Sequence, residues 1–475
     1  MKKMIKSGFI AGWLLLCTAS VNGDILFAKV GGATSGNCDS WANACELQTA
    51  INTANEQTND EVLAQAGTYN GTISLKNGIK VIGGFAGTET SASQSDPVAN
   101  ATVIDGDGAR AVTASNANSS TVLRGFRITN GSDGGDDGGG GLCLQSSSVR
   151  IVDCVFDNNT ASRWGGAVAV RGTSSPEFVN CTFHNNTGAH AGGAVYIYSG
   201  SPVFTNCLFY DNQGGDGGVL ANQAGTAKFY HCTMADNHAT IGSGGAIHDE
   251  QGDVAVYNSI LWDNTAVRGN AHIYHGRDGV TKVRYSDLQG GRPGTGNTNA
   301  DPKFTNSAAN DYTLLSTSPC RNAGLDSYLP GDVGDLDWDG NTSETIPQDL
   351  DGCKRKRETS VDMGAYEYQD SGCCEDGDCT GSQVCIDYEC EECVDDGDCG
   401  SGQICCSNAC ESWECCDDSD CTGPLQPLCR TSDHTCVLCL TDQDCAFGCC
   451  KPNGTCGSCG GGGGGGTNQS SAPPP

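Results

Sequence analysis

The sequence predicts an all-β fold in which short parallel strands wind into a solenoid, with a capping helix at its start and a cysteine-rich region after it. Three observations predict this fold: a unit that repeats about every 26 residues, alternation of apolar and polar residues within the unit, and abundant glycine. The chain has 68 glycines in 475 residues, and only 17% of its residues are charged. This composition is typical of repeat proteins with many tight turns and unlike that of a helical bundle.

The repeat has two landmarks. The first is a cysteine, with spacings of 27, 26 and 25 residues and a serine at the next interval: Cys154, Cys181, Cys207, Cys232 and Ser259. The second is a glycine pair before each of these units: Gly140-Gly141, Gly165-Gly166, Gly192-Gly193, Gly217-Gly218 and Gly244-Gly245. A period near 26 is too short for a strand with a crossover helix, and it fits one solenoid turn of three short strands. We expect about eight or nine such coils within residues 24–318.

Alternation within the unit predicts which side chains face the core. Cys181 and Phe183 share one face of their strand, while Asn180 and Thr182 share the other. An asparagine follows three residues after the large apolar residue in every copy: Asn159, Asn186, Asn212, Asn237 and Asn264. Stacked asparagines can bond amide to amide from coil to coil and tolerate left-handed backbone at a turn. We therefore predict an asparagine ladder beside the cysteine ladder.

These motifs resemble those of the pectate-lyase-like right-handed parallel β-helix superfamily. The paired glycine-glycine-alanine and Phe-x-x-Asn units are similar in particular to the repeats of chlamydial polymorphic outer-membrane proteins. Phe156, Phe183 and Phe209 fit the second motif, whereas Met234 and Leu261 replace its phenylalanine in later coils. The resemblance covers roughly residues 60–315. It implies a right-handed parallel β-helix and says little about activity, because both motifs are structural.

The start of the solenoid needs a cap, since an open end exposes unpaired strand edges. Trp41, Leu47, Ile51 and Ala54 recur at helical spacing, which predicts a capping helix over 43–55, and Cys38 could pair with Cys45. The ladder cysteines Cys154, Cys181, Cys207 and Cys232 are expected to be reduced thiols that fill the core. In-register neighbours place Cβ atoms about 5 Å apart, which is long for a disulfide. A straight ladder also does not converge on one metal ion.

Residues 1–23 read as an export signal, with lysines followed by a short apolar run and a cleavage position after Gly23. A lipoprotein reading would use Cys17 instead, although Leu16 stands where a small residue is expected. Either reading predicts an extracellular or cell-surface protein without a membrane-spanning segment in the mature chain. The balance of 57 acidic against 26 basic residues, a net charge of −31, argues against nucleic-acid or anionic-membrane partners.

Residues 319–370 form what we call the closing segment. The runs Ser318–Gly324, Asp349–Gly352 and Val361–Glu367 resemble the "choice-of-anchor" segment that follows many bacterial secreted β-helices. That resemblance implies display at or beyond the cell envelope. Cys353 stands where the family usually has a polar residue, and a Cys320–Cys353 bridge is therefore expected.

An acidic run inside the closing segment is a candidate calcium site. Carboxylates at alternate positions before a glycine can wrap oxygens around one Ca²⁺. The candidate ligands are Asp335, Asp337, Asp339 and Asn341. Ile346 stands where an EF-hand carries its bidentate glutamate, so a solvated acidic turn is the equal alternative. Calcium is the one cofactor that the sequence suggests.

Residues 371–459 hold 21 cysteines between Cys373 and Cys459. They resemble the short C-x-x-D-x-D-C repeats of secreted proteins, and modules of about twenty residues are too small to hold a core without disulfides. Zinc is the rival interpretation for the C-x-x-C pairs, such as Cys390 with Cys393. A glycine run and a Ser/Pro stretch over 460–475 predict a flexible end.

The sequence does not give a catalytic centre. Polar candidates are scattered over the solenoid: Asp136, Asp137, Arg163, His190, His248, Asp249, Glu250 and Arg268. Aromatic residues that could stack on sugars are Trp164, Tyr196, Tyr198, Trp262 and Tyr274, unless alternation turns them inward. We therefore predict an adhesive or glycan-binding surface. The alternative is a polysaccharide lyase or glycoside hydrolase that acts on acidic or plant- or algal-type polysaccharides.

Overall fold

The computed structural model describes residues 23–276, 278–332, 341 and 344–368, together with the backbone of short strands between 384 and 457. The chain separates into two units, residues 1–368 and 369–475. The expected export signal, the carboxylates Asp335, Asp337 and Asp339, the side chains of the cysteine-rich region and the flexible end lie outside the described residues. Asn341 is described and is exposed.

The first unit is a parallel β-solenoid with three walls, because each repeat supplies one short strand to each wall. Wall 1 comprises Ile25–Ala33, Glu61–Gln65, Lys80–Phe85, Val122–Arg124, Arg150–Val152, Glu177–Val179, Val203–Thr205, Thr226–Tyr230, Asp253–Tyr257 and Val280–Arg284. Wall 2 comprises Gly67–Asn70, Thr102–Asp105, Phe126–Thr129, Val155–Asp157, Thr182–His184, Leu208–Tyr210, Thr233–Ala235, Ile260–Trp262 and Asp287–Leu288. Wall 3 comprises Ile73–Ser74, Val112–Ser115, Leu142–Gln145, Val168–Arg171, Val195–Ile197, Leu220–Asn222, Ile247–Asp249 and Ile273–His275.

A fourth, narrow sheet forms the corner between walls 2 and 3. Its strands are Ser132–Asp133, Thr160–Ala161, Thr187–Ala191, Gln213–Asp216, His238–Ala239 and Thr265–Ala266. From the wall 2 strand at Thr102 to the wall 1 strand that ends at Arg284, the regular part of the solenoid makes about seven turns. This regular part is slightly shorter than the eight or nine coils predicted, because the turns before it are irregular in length and lack the corner strand.

The core is built by in-register stacking of like residues. Phe156, Phe183 and Phe209 pair in successive wall 2 strands, and their rings stack at 4.9 and 4.7 Å between centroids. Cys181 is fully buried beside Phe183, while Thr182 is only half-buried, as the alternation predicts. The four ladder cysteines are buried free thiols, and burial raises the pKa values of Cys154 and Cys207.

The asparagine ladder runs along the corner between walls 2 and 3. Each amide nitrogen donates to the amide oxygen one coil further on, at 2.9–3.1 Å, from Asn159 through Asn186, Asn212 and Asn237 to Asn264. The left-handed backbone does not fall on the ladder asparagines as expected. It falls on the preceding residues, such as Asn185 and Asp211, with φ of 55° and 53°. The ladder residue therefore turns inward from an extended position after the turn.

The start of the solenoid carries the predicted helix in a shorter form. The helix spans Leu47–Thr53 and buries Leu47, Ala50 and Ile51. Cys38 and Cys45 form a disulfide across its entry, with Cα atoms 5.2 Å apart.

The closing segment lies along the side of the solenoid. It is preceded by an antiparallel hairpin, Phe304–Asn306 with Asp311–Leu314, and short 3₁₀ turns occur at Ala92–Gln94, Ser307–Ala309 and Asp326–Tyr328. The hairpin and closing segment pack on the outer face of wall 2, where Leu208 and Ile260 are buried against Tyr312, Leu314 and Met363.

In the second unit, the described residues form four two-stranded antiparallel hairpins. Their strands are Val384–Ile386 with Glu389–Glu391, Ile404–Cys406 with Ala409–Glu411, Leu428–Arg430 with Thr435–Val437, and Cys449–Cys450 with Cys456–Gly457. Among the described residues of the whole chain, no helix is long and apolar enough to cross a bilayer.

Candidate functional site: the outer face of wall 3

The strands of wall 3 carry a row of side chains on the face opposite the core, and these side chains are buried in the middle of the wall and half-buried at its end. One row, in register from coil to coil, comprises Cys143, Ala169, Tyr196, Ala221, His248 and Tyr274. The next row, two residues further along each strand, includes Gln145, Arg171, Tyr198, Gln223 and Glu250. Many of the scattered sequence candidates therefore meet on one face.

An aromatic pair lies near the middle of this face. Trp164 stacks on Tyr196 with ring centroids 5.4 Å apart, and the Arg163 guanidinium covers the Trp164 ring at 5.2 Å. The Tyr196 hydroxyl lies 2.5 Å from Gln223 Oε1, and burial raises the pKa of Tyr196. Tyr198, by contrast, is 51% exposed, with the Arg171 guanidinium 5.5 Å from its ring centre. Tyr198 therefore offers the more accessible ring surface.

The glycine- and aspartate-rich loop Asp133–Gly141, which precedes the wall 3 strand Leu142–Gln145, makes ion pairs and hydrogen bonds with residues of the same face. Arg110 pairs with Asp133 at 2.6 Å, and Arg171 donates to the carbonyl of Asp137 at 2.8 Å. Asp136 pairs with Arg163 at 2.9 Å while remaining largely exposed. The carboxylates of the loop thus offset the positive charge of the arginines beside the aromatic residues.

A histidine between two carboxylates lies two coils beyond Tyr196 in the same row. His248 Nδ1 is 3.4 Å from Asp216 Oδ1, and His248 Nε2 is 3.3 Å from Glu250 Oε2. The imidazole stacks on Tyr274 at 4.6 Å, and the Ser243 amide donates to Asp216 at 2.9 Å. This cluster can accept hydrogen bonds on both sides of a ring, which suits a polar ligand with hydroxyl or amino groups.

The other sequence candidates do not join this face. Asp249 points inward, is fully buried and accepts from Asn222 at 2.9 Å, and burial raises its pKa. His190 is exposed in the corner strand Thr187–Ala191, and Arg268 is exposed in a turn after the corner strand Thr265–Ala266. Trp262 lies on wall 2, against the hairpin and closing segment.

Sequence reasoning missed Asp216, Arg110 and Arg171. Asp216 directly precedes a glycine pair, in the position that Trp164 occupies two coils earlier, so its place in the repeat was a usable signal. Arg171 shares its row with Tyr198, four residues after the small residue of its glycine motif. Arg110 lies in an irregular turn, where the repeat gives no register.

The predicted Cys320–Cys353 bridge is wrong. Cys320 is a buried free thiol whose sulfur lies 3.3 Å from Asp287 Oδ2, whereas Cys353 belongs to a disulfide. The local reason is that Cys320 packs into the apolar cluster with Ile260 and Met363. Burial and the Asp287 carboxylate both raise its pKa.

No group of three or more His, Cys, Asp or Glu side chains with metal-binding geometry occurs among the residues that the structure describes. The candidate calcium ligands Asp335, Asp337 and Asp339 are outside that part of the chain. Calcium therefore stays a prediction from the sequence.

Comparison with known proteins addresses the fold. Residues 98–284 match the family described as "Right handed beta helix region". The chain contains a right-handed β-helix. A search of curated proteins gave no match. Among solved structures, the chain is similar to pectate lyase Pel9A, with 13% identity, a TM-score of 0.37, and coverage of 73% of this chain and 97% of that one.

Proposed function

We propose that this chain is a secreted or surface-displayed β-helix protein that binds glycans through the outer face of wall 3. The observation that carries the proposal is a contrast between walls. Wall 2 also has outward aromatic and apolar residues, but the hairpin and closing segment cover them. On wall 3 the Tyr196 ring is buried, but Tyr198 in the neighbouring row is 51% exposed and is one of the exposed large hydrophobic residues of the described chain.

The chemistry of wall 3 suits a carbohydrate. Sugars offer apolar C–H faces that pack on aromatic rings and hydroxyls that exchange hydrogen bonds with charged and amide side chains. Tyr198 and Tyr274 supply aromatic rings. Arg171, Gln223 and Glu250, which lie in the same row as Tyr198, supply hydrogen-bond donors and acceptors. Parallel coils repeat about every 4.8 Å, close to the length of one hexose unit, which favours a linear glycan along the solenoid axis.

The experiment is a glycan array probed with the full secreted chain, followed by titration calorimetry on the glycans retained. Tyr198→Ala and Tyr274→Ala should each weaken binding about tenfold, the loss expected for one stacking contact of about 1.4 kcal/mol. Val98→Ala is the matched control, because Val98 is 90% exposed and lies outside the walls. Retention of full affinity by both tyrosine variants would refute wall 3 as the binding surface.

A second candidate, glycoside hydrolysis, is favoured by one observation. Asp216 and Glu250 flank His248 on the open face, so two carboxylates face solvent on either side of one ring. Reducing-end release from polysaccharides, abolished by Glu250→Gln, would support hydrolysis. Unsaturated products would instead indicate a lyase, and absence of both would leave binding alone.

A further inference from the structure

The turn between walls 1 and 2 contains a column of left-handed residues that faces the closing segment. Its members have φ near +50° and stand one above another: Asp153, Asn180, Asn206, His231, Asn258 and Tyr285. Amides bond along the column, as Asn206 donates to Asn180 Oδ1 at 3.1 Å. His231 interrupts this run of amides, and its side chain is completely buried.

Arg355 of the closing segment reaches His231. Its Nη2 lies 2.7 Å from His231 Nδ1, and the same nitrogen donates to the carbonyls of Asp362 and Gly364 at 3.0 and 2.9 Å. The Gly364 amide in turn donates to the Asn258 carbonyl at 2.8 Å. Arg355 is 1% exposed, so one guanidinium ties the end of the closing segment to the solenoid.

The other ring nitrogen also faces a donor. Asn258 Oδ1 accepts from the Leu325 amide at 2.9 Å and Asn258 Nδ2 donates to the Leu325 carbonyl at 3.0 Å, which fixes the orientation of this amide. Asn258 Nδ2 then lies 3.1 Å from His231 Nε2. A protonated imidazole would set N–H groups against N–H donors on both sides and place a second cation beside a buried guanidinium.

We propose that His231 and Arg355 form a latch that holds the closing segment on wall 2 and that protonation of His231 weakens. Opening would uncover the apolar outer face of wall 2 around Leu208 and Ile260. The inference does not depend on what wall 3 binds.

The charged groups around the latch act in opposite directions. Burial, and then Arg355, hold the pKa of His231 well below its usual range. A lowered histidine pKa stabilises the closed form above about pH 6.5, and this stabilisation is lost as pH falls below that value. Burial raises the pKa of Glu367 to about 9 and of Asp349 to about 7, and it raises that of Asp362.

For these carboxyls the stabilisation is present in acid and is lost as pH rises. They therefore work against opening at low pH. Glu367 Oε2 is 3.7 Å from Arg355 Nε, so it also moderates the guanidinium charge. Of the titratable groups in these contacts, His231 is the one whose protonation opposes the closed form.

The test is hydrogen exchange on the full chain between about pH 7.5 and about pH 5, corrected for intrinsic rates and read at the amides of Gly364 and Ala365. Compared with His231→Asn, which restores the residue type of its neighbours in the column, the wild type should lose about a further tenfold in protection of these amides for each pH unit below about 6.5. This is the slope of the one proton that His231 takes up on opening. The carboxyls of the closing segment contribute to both profiles, so the difference between the profiles isolates the His231 contribution. His190→Asn, at an exposed histidine, should keep it.

An equal slope in the wild type and in His231→Asn would overturn the latch. If His231→Asn fails to fold, an NMR titration of the His231 ring in the wild type decides, because protonation near pH 6.5 without loss of protection at Gly364 would overturn the latch as well. Glycan binding by Tyr198→Ala is measured separately, so failure of the latch and failure of the proposed function are distinguishable.

Discussion

Walls 2 and 3 are built from the same repeat and yet have different outer surfaces. Both alternate inward apolar with outward variable residues, and both carry outward aromatic side chains. On wall 2 the outward Leu208 and Ile260 are at most 3% exposed, because the hairpin and closing segment lie on them. On wall 3 the outward Tyr198 is half exposed and is surrounded by charged groups. The difference shows that residues on the outer face of a solenoid become buried or stay exposed according to what the non-repetitive part of the chain covers.

The largest expected effect is loss of stability at Ile260. Ile260→Ala removes a side chain that is outward on its strand but fully buried against Leu314 and Met363. The free energy of unfolding should fall by about 2–5 kcal/mol, the usual loss for a buried isoleucine. Chemical denaturation measures it, with Val98→Ala as an exposed control. A change below about 0.5 kcal/mol would mean that wall 2 is not covered.

Asn212→Ala tests the corner that both walls share. The Asn212 amide donates to Asn237 Oδ1 and its oxygen accepts from Asn186, so truncation leaves buried partners unsatisfied. We expect a loss of about 1–3 kcal/mol per unsatisfied group in unfolding free energy. Gln213→Ala, at the exposed neighbour, should change it by less than about 0.5 kcal/mol. Equal effects of the two substitutions would mean that the asparagine ladder does not stabilise the corner.

Tyr198→Ala should separate stability from binding. Because Tyr198 is half exposed, its removal should change the unfolding free energy by less than about 0.5 kcal/mol while weakening glycan binding. Thermal unfolding and calorimetry on the same sample measure both. A large fall in melting temperature would show that wall 3, like wall 2, is structural.

The smallest expected effect concerns calcium. Asp337 belongs to the acidic run of the closing segment, outside the described residues. If the run binds Ca²⁺, addition of the ion should raise the melting temperature by a few degrees and Asp337→Ala should abolish the rise. Identical calorimetric heats in the wild type and the variant would leave a solvated acidic turn.

The sequence predicts those features that repeat. Cys181, Phe183 and Asn186 recur at fixed spacing, and stacking at fixed register converts that spacing directly into ladders. Contacts between segments that are far apart in the sequence do not recur at a fixed spacing, so the repeat does not predict them. The hairpin before the closing segment packs on wall 2 through single contacts such as Tyr312 with Asp236, 76 residues apart. Nothing local in either residue indicates this pairing.

The sequence predicted several residues of the candidate site, but it did not predict all of them or how they are arranged. His248 and Glu250 share an outward face two residues apart, but Asp216 reaches His248 only because one coil stacks on the next. The disulfide prediction at Cys320 was wrong for a related reason. The sequence motifs around Cys320 and Cys353 do not show that the Cys320 side chain packs into the apolar cluster over wall 2.

Hydroxyl-radical footprinting of the full chain tests most directly the claim that Tyr198 on wall 3 is exposed while the outer face of wall 2 is covered. At neutral pH we predict rapid oxidation of Tyr198 and strong protection of Met363 and Leu314, which are 1% and 5% exposed. Because methionine is intrinsically the more reactive side chain, its protection would be informative. Oxidation of Met363 as fast as that of Tyr198 would contradict the account.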